Sequence, residues 1–198
     1  AVRIGYVARH LLKDEPCKVK IGLYGSFAQT GKGHGTDRAL IAGILDMHPD
    51  DMRIPESFEL AKAAGIEFEF YNADIRNAHP NTALIEMVGK NDRKLSVLAS
   101  SLGGRIMVNK IDGIDVNFSA EKPTLIVHNI DQPGHVAEVT SMLSHKCVNI
   151  ATMQLFRDKR GGYAVMVLET DQQIPEESIK WLEHLEGVIK VTYVNIME

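Results

Sequence analysis

Thr124-Leu125-Ile126-Val127-His128-Asn129-Ile130 reads as a strand, and Asp131-Gln132-Pro133-Gly134 interrupts it. The next run, Pro133 to Lys146, turns Val136, Val139 and Leu143 to one side. Apolar residues three and four apart make a helical stripe, whereas a short β-branched run bounded by turn residues makes a strand. The alternation continues with a strand over Val148 to Phe156, a turn over Asp158 to Gly162 and a strand over Tyr163 to Thr170. A helix over Pro175 to Leu185 and a closing strand over Val188 to Ile196 complete it. The order is βαββαβ, a ferredoxin-like split unit with four antiparallel strands and two helices on one face. Met142, Met153 and Met166 fall at positions expected in its core, where methionine is ordinary filler.

Upstream, Ala120-Glu121-Lys122-Pro123 is the plausible linker, which divides the chain at 1–121 and 122–198. Val2 to Lys13 has a helical stripe (Ile4, Val7, Ala8, Leu11, Leu12) that Pro16 is expected to break. Lys18 to Leu23 alternates at strand period. A long polar loop, Gly25 to Gly35, follows, and Thr36-Asp37 can cap a helix over Arg38 to Met47 that Pro49 stops. A second helix runs from about Glu56 to Ala64, ending on Gly65. Strand-like runs occupy Ile66 to Phe70, Ala83 to Val88, Leu95 to Ser100 and Ile106 to Phe118, the last holding the hairpin signal Asp112-Gly113. The fold class is therefore α+β in two domains, the first with a mixed or antiparallel sheet.

Composition excludes several functions. The net charge of −4, with no basic block, gives nucleic acid no footing. No apolar run is long enough to span a bilayer. Ala1-Val2-Arg3-Ile4-Gly5 lacks the order of a secretory leader, so a cytoplasmic location is expected. The two cysteines, Cys17 and Cys147, suggest no disulfide framework, and an iron–sulfur cluster needs more thiolates than this chain can offer alone. No metal site is expected on this chain by itself.

The densest chemistry is Gly25-Ser26-Phe27-Ala28-Gln29-Thr30-Gly31-Lys32-Gly33-His34-Gly35-Thr36-Asp37. It is not a Walker A loop, because five residues separate Gly25 from Gly31 and Gly33 stands where a hydroxyl should follow Lys32. Gly31, Gly33 and Gly35 also miss the spacing of a dinucleotide fingerprint. What remains is a backbone able to approach a ligand, leading into a helix N-terminus that favours anions. Lys32 adds a point charge, Ser26, Thr30 and Thr36 add hydroxyls, and His34 is a base candidate near neutral pH. A lone Gly-His-Gly is usually an idle turn; the crowding of Ser, Thr, Lys, His and Asp around this one argues for a site.

His79-Pro80-Asn81-Thr82 is a second cluster, in which Pro80 pushes His79 toward an extended shape and can aim His79 and Asn81. Ser100-Ser101-Leu102-Gly103-Gly104 is a third, either a turn for close approach or a plain strand end. In the C-terminal module the main-chain N–H groups at Asp131 to Gly134 can hold an amino-acid carboxylate, and Asn149 can meet its amino group. The alternative there is a dimerisation module that binds nothing.

These segments, with Pro49-Asp-Asp-Met-Arg-Ile-Pro55, resemble the β chain of iron–sulfur-dependent L-serine dehydratase, and Asp131-Gln-Pro-Gly134 with its βαββαβ setting resembles an ACT domain. The resemblance spans the whole chain. It implies the conversion of L-serine to pyruvate and ammonia, a separate α subunit carrying a 4Fe–4S cluster, and a β chain that helps form the substrate pocket. An open iron would act as Lewis acid on the departing hydroxyl, and a base would take the α-proton. The implied catalytic set is Ser26, Thr30, Lys32, His34 and Asp37, with Thr36, His79 and Asn81 toward substrate. The implied regulatory set is Asn129, Asp131, Gly134 and Asn149, binding a small amino acid, with dimerisation through the ACT domain.

Family β chains carry a further Ser-Ser-His-Thr-bearing stretch ahead of the segment that corresponds to Ala1, and usually three glycines where Gly103-Gly104 has two. In phosphoglycerate dehydrogenase relatives a His and an Asn hold serine, whereas Asn129 and Asp131 take those places here. Two other readings compete. A non-catalytic regulatory unit of the phosphoglycerate dehydrogenase type would leave His34 without a purpose. A pyridoxal-phosphate dehydratase would need a larger domain with a Schiff-base Lys.

Overall fold

A computed structural model describes residues 1–195. The chain divides into two compact units, Ala1–Gly113 and Ile114–Glu198.

The first unit contains α1 (Val2–Leu12), β1 (Pro16–Tyr24), α2 (Ser26–Thr30), α3 (Thr36–Ile44) and a 3-10 turn at Ile54–Glu56 leading into α4 (Ser57–Ala63). Four strands follow: β2 (Glu67–Asn72), β3 (Thr82–Gly89), β4 (Lys94–Leu102) and β5 (Arg105–Ile111). They lie side by side in the order β2-β1-β3-β4-β5. β1 is parallel to β2 and antiparallel to β3, and β4 is antiparallel to its neighbours, so the sheet is mixed.

The stripe expected of α1 is buried: Ile4, Val7, Ala8, Leu11 and Leu12. α1 and α3 cross almost backbone to backbone, because a Cβ at Gly5 would lie 2.1 Å from the Leu40 carbonyl oxygen and one at Gly43 would lie 2.0 Å from that of Val2. The helices cover one face of the sheet, whose alternate residues Val19, Ile21, Ile85, Met87, Val97 and Ala99 are all buried. Each fully buried Ile or Leu there stabilises the fold by about 1.5–3 kcal/mol.

The first unit departs from the sequence expectation in three places. α1 ends on Lys13 in the left-handed region (φ 53), and Pro16 opens β1 rather than breaking the helix. The loop expected over Gly25 to Gly35 contains the short helix α2, because Phe27 buries and gives the segment an anchor. Thr36 and Asp37 lie inside α3, whose N-cap is Gly35 without a side-chain cap bond, and α3 stops at Ile44, short of Met47, with Asp46 left-handed at φ 67. Asp112 and Gly113 both take positive φ (50 and 80), as the expected hairpin turn requires.

The second unit comprises β6 (Ile114–Phe118), β7 (Thr124–Ile130), α5 (His135–His145), β8 (Ile150–Arg157), β9 (Tyr163–Thr170), α6 (Glu176–Glu183) and β10 (Val188–Val194). Ile196, expected to end the last strand, lies outside the described residues. The strand order is β10-β7-β9-β8, and every pairing is antiparallel. Leu125, Val127, Met166, Leu168 and Val191 alternate onto one face and meet Val139, Met142 and Leu143 of α5 and Leu182 of α6, so both helices share that face. β6 lies against β8 and β9.

Two expected core residues are not core. Val136 is 37% exposed, because the buried stripe of α5 runs through His135, Val139, Met142 and Leu143 and leaves Val136 at its margin. Met153 is 38% exposed, because β8 is an edge strand that leaves Met153 and Leu155 partly uncovered.

Candidate active site

Strand register gathers the three polar clusters of the first unit at one sheet end. Tyr24, the last residue of β1, pairs with Thr82, the first of β3, and Thr82 pairs with Ser100 near the end of β4. The segments after β1, before β3 and after β4 must therefore emerge together. The contacts follow: Phe27 N donates to Pro80 O at 3.4 Å, and Ser101 N donates to Asn81 O at 2.8 Å. Gly25, at φ 58, lies so close to Pro80 that a Cβ there would meet its carbonyl oxygen at 2.6 Å.

The segment Gly25 to Asp37 is internally bonded. Ala28 N and Gln29 N donate to Gly25 O, both at 3.1 Å; His34 N donates to Thr30 O at 3.2 Å; Thr36 N donates to Gly31 O at 2.8 Å. Thr30 Oγ1 donates to Ser26 O at 2.9 Å. Gly31 sits against Phe27, with room for no side chain: a Cβ would lie 2.2 Å from the Phe27 carbonyl oxygen. Ser26, Thr30, Lys32 and His34 are exposed, and Thr36 and Asp37 are half-buried. Asp37 Oδ1 accepts from the Arg38 amide at 2.8 Å. The segment thus presents a cation, an imidazole and two hydroxyls on an ordered backbone.

His79 is held from both ends. Asn81 N donates to His79 Nδ1 at 3.1 Å, so the neutral ring carries its proton on Nε2. Thr82 Oγ1 donates to His79 O at 2.6 Å and meets Ser100 Oγ at 2.7 Å. The Pro49 to Pro55 stretch lies beside α3. Arg53 grips Asp51 through Nη2–Oδ2 at 2.7 Å and Nε–Oδ1 at 3.0 Å, which holds the Asp51 carboxyl down to about 2. Arg38 Nη1 donates to Pro55 O at 3.0 Å.

In the second unit, Asn129 is buried at the end of β7, donating Nδ2–H to Ile130 O at 2.8 Å, while its Oδ1 has no partner among the described residues. Asp131 Oδ2 accepts from Gly161 N and Arg157 Nη1, both at 3.0 Å, and these bonds lower its carboxyl from the ordinary value. Gly134, at φ 104, is the N-cap of α5. Asn149 is placed elsewhere. It donates to Asp171 Oδ2 at 2.7 Å just before β8, at the opposite end of the sheet from Asp131. In one copy a strand length of about 20 Å separates them.

Sequence reasoning missed Asn109 on β5, whose side chain meets Ser100 Oγ at 3.1 Å, and His135, buried against Gly187 at the start of α5. Neither carries a local signal; only register across strands reveals Asn109.

With this geometry in view, residues 5–111 match the family model described as serine dehydratase beta chain. The chain belongs to the serine dehydratase β-chain family. Its residues 125–190 match the AHAS small subunit-like ACT domain, so the βαββαβ unit of this family member is an ACT domain. The chain is 37% identical over 195 residues to the "Probable L-serine dehydratase, beta chain" of Bacillus subtilis (strain 168), covering 98% of this chain and 88% of that one. It is 35% identical over 198 residues to the "L-serine dehydratase, beta chain" of Peptoniphilus asaccharolyticus, covering 99% and 89%. A D-3-phosphoglycerate dehydrogenase of Archaeoglobus fulgidus is 26% identical over 200 residues, covering 99% of this chain but 37% of the relative.

Proposed function

We propose that this chain is the β subunit of an L-serine dehydratase that converts L-serine to pyruvate and ammonia in the cytoplasm, with a separate α subunit carrying a 4Fe–4S cluster. The observation that carries this reading is the similarity, over nearly the whole length of both chains, to two relatives named as β chains of that enzyme. The first domain, taken as residues 1–121, lends the polar corner to the substrate pocket, and the ACT domain, residues 122–198, senses a small amino acid.

This chain's thiols do not fit a cluster. Cys17 is half-buried on β1 with its Sγ directed at Val88 O at 3.4 Å, and Cys147 belongs to the other unit. Two thiols fall short of the three or four that a cluster takes. Loss of water from serine needs a base for the α-proton and donors for the carboxylate. His34 and His79 are the base candidates. Lys32 and the hydroxyls of Ser26, Thr30 and Thr36 are the carboxylate and hydroxyl partners, and Asp37 and Asn81 border them.

In the ACT domain the ligand's carboxylate is proposed to sit at the Gln132 and Gly134 amides that lead into α5, beside Asn129; Asp131 N donates to Gly162 O at 2.8 Å, and Pro133 has no N–H to offer. Asn149 reaches the same ligand only from a second copy, which agrees with the partly uncovered edge strand β8 as a dimer contact. The match of this chain to about a third of a phosphoglycerate dehydrogenase favours a second reading, a non-catalytic amino-acid-sensing unit. Anaerobic co-expression with the cognate α chain separates the two. Association and pyruvate release from L-serine only when both chains are present support the subunit; an α chain fully active alone supports the regulatory unit.

A further inference from the structure

Beneath the polar corner three side chains are linked in a row. Thr82 is fully buried and Ser100 is 5% exposed. Thr82 Oγ1 lies 2.6 Å from His79 O and 2.7 Å from Ser100 Oγ, and Ser100 Oγ lies 3.1 Å from the Asn109 carboxamide oxygen as placed. Each hydroxyl has one proton, and a carbonyl oxygen only accepts. His79 O therefore takes the Thr82 proton. Ser100 must then give its proton to Thr82, or two lone-pair oxygens would face each other at 2.7 Å. Ser100 has nothing left to give Asn109, so Asn109 must donate. That requires its Nδ2 rather than its Oδ1 toward Ser100, and the two ends of a carboxamide are interchangeable in shape.

We infer that Asn109, Ser100 and Thr82 form a one-way chain of donors ending on the His79 carbonyl, and that all three are positioning residues for His79. This rests on the reading that His79 borders the substrate pocket. The His79-Pro80 turn needs such a hold. Pro80 has no N–H to anchor it, and the His79 ring is bonded through Nδ1 to the Asn81 amide within the same turn. Fixing the His79 carbonyl fixes the backbone from which the ring projects.

The polarity of the chain gives the test. In Asn109→Asp an ionised carboxylate only accepts, so it draws the Ser100 proton, Ser100 draws the Thr82 proton, and His79 O is left without a donor. Thr82→Val removes the last link without adding charge, and Thr82→Ser keeps it. The His79 ring resonances would be followed by NMR in the full chain, and kcat and KM for L-serine in the two-chain enzyme. Expected are displaced His79 resonances in Thr82→Val and Asn109→Asp but not in Thr82→Ser. The same two variants should lose about ten- to a hundredfold in kcat/KM with assembly intact, and Thr82→Ser should stay near wild type. Unmoved His79 resonances in Thr82→Val and Asn109→Asp would overturn the donor chain. Displaced resonances with unchanged kcat/KM would overturn the positioning role. Displaced resonances with a wild-type complex inactive on L-serine would leave the donor chain standing and defeat the functional reading instead.

Discussion

His128 gives the sharpest quantitative prediction. It lies on β7 with its Nε2 shut off from solvent and unpartnered among the described residues, and burial, aided by the charge of Lys190, lowers its pKa from 6.5 to about 4. The folded chain therefore resists a proton that the unfolded chain accepts. Between those two values the unfolded state binds more protons, so stability is complete above the unfolded pKa and falls as pH drops toward the folded one. A shift of about 2.5 pKa units at about 1.4 kcal/mol each is worth about 3.4 kcal/mol, roughly three quarters of it lost by about pH 4.5. Other groups titrate in this range, so the test is a difference. Urea unfolding of wild type and His128→Gln would be compared at about pH 7.5 and about pH 4.5. The wild type should lose about 2.5 kcal/mol more than the variant across that interval. An equal loss in both chains would refute the claim that His128 is held neutral by burial.

Two further predictions concern other elements. Gly31→Ala should cost about 1–3 kcal/mol, because its Cβ would lie 2.2 Å from the Phe27 carbonyl oxygen; Gly33→Ala, whose nearest neighbour is Thr30 O at 3.5 Å, should stay within about 0.5 kcal/mol by chemical denaturation. Asp131→Ala should speed hydrogen exchange at the Gly161 amide, which loses its acceptor. The same bond should weaken in wild type as pH falls through the depressed Asp131 pKa, because a lowered carboxyl contributes above its unfolded value and ceases to contribute below its folded one.

Much of the fold is legible in the sequence because alternation and helical stripes report burial directly. Tyr163–Thr170 has the bounds its pattern predicts, and both ACT helices fall where their stripes place them. The pattern fails where burial depends on neighbours distant in sequence. Nothing local marks β8 as an edge strand, so Met153 reads as core; nothing local shows that His135 rather than Val136 opens the buried stripe of α5, so Val136 does too. α2 is too short to show a period, and it forms because Phe27 finds a buried place and Gly31 admits the Phe27 carbonyl.

The candidate site divides the same way. Its residue types stand out at Gly25 to Asp37 and at His79 to Asn81, but their convergence comes from the pairings Tyr24 with Thr82 and Thr82 with Ser100. The separation of Asn149 from Asp131 is likewise a matter of strand direction, which sequence spacing does not reveal.

The polar corner of this β chain is proposed to form part of a serine dehydratase pocket. The most direct measurement is pyruvate release from L-serine by the anaerobically assembled two-chain enzyme carrying His34→Ala. The side chain is exposed, so its removal should leave folding, association with the α chain and cluster absorbance unchanged. The expected result is a loss of about a hundredfold or more in kcat, the scale of a lost general base or positioning group. Wild-type kcat and KM in an assembled His34→Ala enzyme would contradict it.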